Sequence, residues 1–98
     1  MNPVEHEVVE KISVIIPCHL GIHARCAARI IPFLMQFESE IRVRKGSQVV
    51  NGKSILGLMS LGAFYKSKLE FEIVGADAES AQEAIEAFFK EANYCADH

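Results

Sequence analysis

The chain has 98 residues, half of them hydrophobic and 23% charged, with ten basic and thirteen acidic side chains and a formal net charge of −3. That is the length of one small domain and the composition of a globular rather than a disordered chain, with no support from net charge for nucleic-acid binding. No apolar run approaches the roughly 20 residues that a membrane span needs, and the acidic start lacks the basic-then-apolar pattern of a secretory leader. The expectation is a cytoplasmic protein without membrane insertion. The three cysteines, Cys18, Cys26 and Cys95, are an odd and sparse set that suits a reducing compartment better than a disulfide framework.

Residues 1–10 read as an N-terminal arm able to extend the first strand, residues 11–95 as one domain, and residues 96–98 as a tail. In Lys11–Ile16, Ile12, Val14 and Ile16 alternate as in a half-buried strand, and Pro17 stops it. After a loop containing Gly21, the residues Ala27, Ile30, Ile31, Leu34 and Phe37 recur at helical spacing from Ala24 to about Phe37. Pro32 lies inside that stripe. It removes one helical hydrogen bond and crowds the carbonyl of Ala28, which predicts a bend or loosening near Ala28–Pro32 that brings Phe33 and Met35 over the surface. Two short helices broken before Pro32 are the alternative.

Glu40–Lys45 reads as a strand, Gly46-Ser47 as a turn, and Gln48–Asn51 as its short antiparallel partner ended by Gly52. Ser54 is placed to N-cap a short apolar helix through Leu61, with Gly62 as its stop. Leu69, Phe71 and Ile73 alternate with Glu70 and Glu72 in a further strand ended by Gly75. Asp77 is placed to cap a final helix with Ala81, Ala84, Ile85, Phe88 and Ala92 on its buried stripe. The order strand, helix, strand, strand, helix, strand, helix predicts an α+β open-faced β-sandwich: a four-stranded antiparallel sheet with three helices on one face.

Two segments carry chemistry. Gly21-Ile22-His23-Ala24-Arg25 lies where a loop meets a helix. Unpaired backbone N–H groups and the positive end of the helix dipole make that junction an anion site. A histidine there is a nucleophile beside a phosphate cradle, and Arg25 offers a planar guanidinium. On local chemistry alone, a hydrogen-bonded surface histidine remains the alternative. In the second segment, Lys53 to Gly62, the residues Ile55, Leu56, Leu58, Met59 and Leu61 surround most of a helix circumference. Some must be exposed as a partner surface, unless the helix is buried on two sides.

Gly21-Ile22-His23-Ala24-Arg25 with Ala27-Ala28, and Lys53-Ser54-Ile55-Leu56-Gly57-Leu58-Met59-Ser60-Leu61-Gly62, resemble two signatures of HPr. That family comprises the histidine-containing phosphocarriers of the bacterial phosphoenolpyruvate-dependent sugar phosphotransferase system. The resemblance spans about Lys11 to Phe89. It implies a phosphoryl carrier rather than an enzyme, with His23 as acceptor, Arg25 as its supporting arginine and Ser54 as the target of a regulatory kinase. Ile55, Leu56 and Met59 would dock enzyme I, sugar-specific proteins and the serine kinase or phosphorylase. No cofactor is required.

The chain departs from the family pattern at three places. Cys26 stands where proline is usual, the loop from Pro17 to His23 is two residues longer, and Lys66 replaces a common glycine. Cys26 near a helix start and an arginine is either an activated thiol or a small apolar side chain packed inward. Cys18, His19, His23 and Cys26 have a composition zinc accepts, but their placement around the phosphate site argues against convergence, and no metal is expected. Two further readings stand beside the carrier: a regulatory paralogue acting by binding and controlled at Ser54, and a metal- or redox-responsive variant using Cys18 and Cys26.

Overall fold

The computed structural model describes residues 8–16, 22, 24–63 and 66–91. The elements are β1 (Val8–Ile15), α1 (Ala24–Leu34), β2 (Glu40–Lys45), β3 (Gln48–Asn51), α2 (Ile55–Ser60), β4 (Lys68–Gly75) and α3 (Ala78–Glu91). The four strands form one sheet in the order β1-β4-β2-β3, with every neighbouring pair antiparallel. The expected open-faced α+β sandwich is the fold observed.

Strand alternation builds the core directly. Phe71 in the central strand β4 pairs with Ile12 on one side and Val43 on the other. Leu69, Ile73, Val14 and Ile41 extend this buried row, and the buried residues of the three helices close over it. The opposite face is open and charged, as period-two strands with polar alternate positions require. There Glu72 lies 3.8 Å from both Lys11 and Arg42, and Arg42 also approaches Glu40 at 3.9 Å. These are solvated pairs of small energetic value. A concavity of about 520 Å³ lies over this face, between Lys11, Arg42, Arg44 and Glu70.

β1 begins at Val8, inside the expected arm, because Val8–Glu10 continue the pairing with Ile73–Gly75. It ends at Ile15 rather than Ile16. Ile16 is still buried and is held by both its backbone groups: its N–H donates to Ser67 and its carbonyl accepts from Lys66. The backbone of Lys66 is left-handed, with φ 70°, which explains why glycine would suit this turn.

α1 is one continuous helix through Pro32, not two pieces, but stops at Leu34 instead of running to Phe37. Beyond it Gln36 and Phe37 donate to carbonyls three residues back, Phe33 and Leu34, a tighter turn than the α-helix. Phe33 stacks on Phe88 of α3, with ring centroids 4.1 Å apart and planes 9° from parallel. Met35, expected to cover surface, is exposed instead, because it falls just past the helix end. In α3 Phe89 joins Ala81 and Ile85 in the core, while Ala92 lies outside the described residues.

Asp77 precedes α3 and its carbonyl accepts the Ala81 N–H, as an N-cap residue's does. Its carboxylate, however, reaches the segment entering β2. It accepts the Glu38 and Ser39 N–H groups at 2.8 and 3.0 Å, and also the Ser39 hydroxyl. The Ser39 hydroxyl, followed by the Glu38 N–H, holds this carboxyl below its ordinary pKa. Gly75 permits the approach: a Cβ there would stand 2.5 Å from the Ser39 Oγ, at φ 154°.

Candidate phosphoryl-transfer site

Ile16 and Ile22, the described residues between β1 and α1, are each anchored by backbone hydrogen bonds. Ile16 is tied to Lys66 and Ser67, and the buried Ile22 donates its N–H to Ala63 at 2.8 Å. Ala63 follows α2 by three residues. The start of α1 therefore lies beside the C-terminal end of α2, and the sequence signature that opens one helix is joined to the apolar signature of the other. His23 lies outside the described residues, as do Gly21, Cys18, His19 and Cys95. In the chain it immediately precedes Ala24, the first residue of α1.

The first turn of α1 divides by face. Cys26 and Ala27 are fully buried, whereas Arg25 is exposed, with Arg29 exposed one turn further on. α1 contains no acidic residue, so nothing on the helix itself opposes an anion at its N-terminus. Arg29 escaped the sequence reading, although its i, i+4 spacing from Arg25 marks the same face. Complete burial of Cys26 overturns its reading as an activated thiol. A sulfur enclosed by the core has no access to an oxidant or to solvent, so the redox alternative loses one of its two cysteines.

α2 is organised as expected from its cap. Ser54 has extended backbone, φ −106° and ψ 120°, and its Oγ accepts the Gly57 N–H at 3.0 Å. The helix runs to Ser60, and Gly62 leaves it with φ 60°. Its inner side is Leu58, followed by the buried Leu61. Gly57 lets the helix lie close on β3, since a Cβ would meet Val50 Cβ at 3.2 Å. The Lys53 ammonium donates to the Phe37 carbonyl, and the Lys45 ammonium to the Gly62 carbonyl at 2.9 Å, holding both ends of the segment.

The outer side of α2 is apolar and open: Leu56 is 77% exposed, Ile55 41% and Met59 40%. Met59 occupies the end of α2 nearest the Ile22–Ala63 contact. Ser54 occupies the other, ~7.5 Å away at 1.5 Å per residue. An apolar patch thus extends from the start of α1 to a half-buried serine hydroxyl. Among the described residues no group of three His, Cys, Asp or Glu side chains is placed to hold a metal ion.

The sequence model described as "PTS HPr component phosphorylation site" matches residues 10–91. The chain belongs to the HPr family of phosphocarriers. It is 44% identical over 66 residues to the phosphocarrier protein HPr of Neisseria meningitidis, covering 67% of this chain and 74% of that one. It is 39% identical over 83 residues to the HPr-like protein Crh of Halalkalibacterium halodurans, covering 85% and 98%. Among solved structures, HPr-C-His from Thermoanaerobacter tengcongensis superposes with a TM-score of 0.80 at 33% identity, over 87% of this chain and 94% of that one. No described helix of this HPr-family chain is long and apolar enough to cross a membrane.

Proposed function

We propose that this protein accepts a phosphoryl group from enzyme I on His23 and passes it to downstream proteins of the phosphotransferase system. The observation that carries the reading is the family's histidine signature set directly before α1, whose first turn presents an exposed Arg25. Nδ1 of His23 attacks the phosphorus. A P–N bond forms as the bond to enzyme I breaks, and the next acceptor reverses the step. Helix N–H groups and Arg25 balance the charge of the phosphoryl oxygens. Contributions of roughly 0.3–1 kcal/mol from the helix terminus hold the group without trapping it, as a relay requires.

Ile55, Leu56 and Met59 form the docking patch for enzyme I and the sugar-specific proteins. A phosphate on Ser54 places about −1.5 to −2 charges at one end of that patch, where an apolar partner must desolvate them. A serine kinase and its phosphorylase would thereby control docking. This reading places the protein in the cytoplasm with its partners. The test is incubation with phosphoenolpyruvate and enzyme I, followed by intact mass and acid treatment. The expected product carries one phosphoryl group that acid removes, as for phosphohistidine. An acid-stable product, or none, contradicts the reading.

A further inference from the structure

Two successive carbonyls just past α2 are held from different parts of the fold. The Gly62 carbonyl accepts from the Lys45 ammonium at 2.9 Å, and the Ala63 carbonyl accepts the Ile22 N–H at 2.8 Å. Ile22 immediately precedes His23 in the chain. Lys45 ends β2, an inner strand that lies between β4 and β3. One side chain therefore ties the interior of the sheet to the segment that meets Ile22.

The tie matters because α2 ends loosely. Leu61 and Gly62 donate to carbonyls three residues back, Leu58 and Met59, each at 3.3 Å, which is long for such bonds. The buried Leu61 and Ala63 fix where the segment lies. Between them Gly62, at φ 60° and without a Cβ, lets the Gly62–Ala63 peptide plane turn at little steric cost. Turning that plane re-aims the Ala63 carbonyl on which Ile22 depends. A cation beside the last carbonyls of a helix is favourable in itself. Here its charge-assisted bond, partly shielded from water, also fixes the plane. Gln48, the first residue of β3, reaches the same end of α2, its amide donating to the Ser60 carbonyl at 3.3 Å. The β2–β3 hairpin thus braces this end of the helix from two positions.

We propose that Lys45 is a positioning residue for phosphoryl transfer: through Gly62, Ala63 and Ile22 its ammonium sets where His23 stands when enzyme I delivers the phosphoryl group. The proposal rests on His23 being the acceptor. In this role Lys45 touches neither the phosphoryl group nor enzyme I. Its removal therefore lowers the rate of transfer at saturation and spares docking. A misplacement of about 1 Å can cost on the order of a hundredfold in rate, and loss of one brace among several is expected to cost about tenfold.

The test is rapid-quench transfer from phosphorylated enzyme I to the full chain over a range of concentrations, with amide hydrogen exchange of the same proteins followed by nuclear magnetic resonance. Lys45→Met keeps the apolar stem and removes the ammonium, and circular dichroism verifies its fold. It should lower the maximal rate about tenfold and leave the half-saturating concentration within about twofold. Exchange of the Ile22 amide should quicken at least about tenfold relative to that of Phe71 in the central strand, which a general loss of stability would not produce. Lys45→Arg should restore both, since a guanidinium donates to the same carbonyl. Arg44→Met removes the neighbouring charge on the open face, opposite Glu70, and should change neither. An unchanged maximal rate, a change confined to the half-saturating concentration, Ile22 and Phe71 exchange that rise together, no rescue by Lys45→Arg, or an equal loss with Arg44→Met overturns the proposal. A parent that takes no phosphoryl group overturns the reading of His23 and the proposal with it, whereas a labelled parent with an unaffected Lys45→Met overturns the positioning role alone.

Discussion

Lys66 and Asp77 show how single positions record what the chain must accommodate. Lys66 adopts φ 70° while its N–H closes the turn onto Ile16. A left-handed residue with a Cβ costs roughly 1–2 kcal/mol, and glycine returns about 0.5–1 kcal/mol of that through its unfolded-state entropy. Lys66→Gly should therefore stabilise the fold by about 0.5–1 kcal/mol, measured by urea denaturation; a loss of stability would show that the lysine side chain contributes more than the strain. For Asp77 the pKa is depressed in the folded state. Its contribution is fully present above the unfolded carboxyl value of about 3.9 and is lost as pH falls through the lower folded value. Asp77→Asn should lower the melting temperature at neutral pH, and the gap should close on acidification below about pH 4. A gap that stays constant down to acid would contradict the charged clamp. The sequence showed an aspartate before a helix and so a cap. That its carboxylate crosses to Ser39 depends on β2 and β4 being neighbours, which local sequence does not state.

At the scale of elements, α1 and α2 carry the site, and each has a feature that substitution can isolate. Pro32 withholds the donor that the Ala28 carbonyl would otherwise receive, yet α1 continues to Leu34. Phe33 stacking on Phe88 is one packing contact that favours carrying the helix past the proline. Pro32→Ala at this exposed position should raise stability by about 1–3 kcal/mol in chemical denaturation; an unchanged midpoint would mean that the turn already adapts to proline at no cost. In α2, Leu56 is the most exposed of the apolar residues. Leu56→Asp should leave the unfolding midpoint within about 0.5 kcal/mol of the parent and weaken enzyme I binding in titration calorimetry. Undiminished affinity would remove Leu56 from the docking patch. The excess of apolar residues in α2 was legible as a count, and Ser54 as a cap by residue type. Which three of the apolar residues face outward, Ile55, Leu56 and Met59, came from the family resemblance and not from the count, because that depends on where β3 and α1 press against the helix.

For the whole molecule, strand alternation made the sheet and its buried face legible, and the two signatures made the family legible. The strand order β1-β4-β2-β3 and the Ile22–Ala63 bond were not, since both join segments far apart in sequence. That order sets the charged open face behind the core and brings the start of α1 against the end of α2, so one small domain presents a helix start with an exposed arginine beside an apolar patch. The central claim is that His23 carries the phosphoryl group there. The most direct measurement compares the parent and His23→Ala after incubation with phosphoenolpyruvate and enzyme I, by intact mass before and after acid, with circular dichroism to verify the fold. The account predicts one acid-labile phosphoryl group on the parent and none on a folded His23→Ala protein. Undiminished acid-labile labelling of the variant would contradict it.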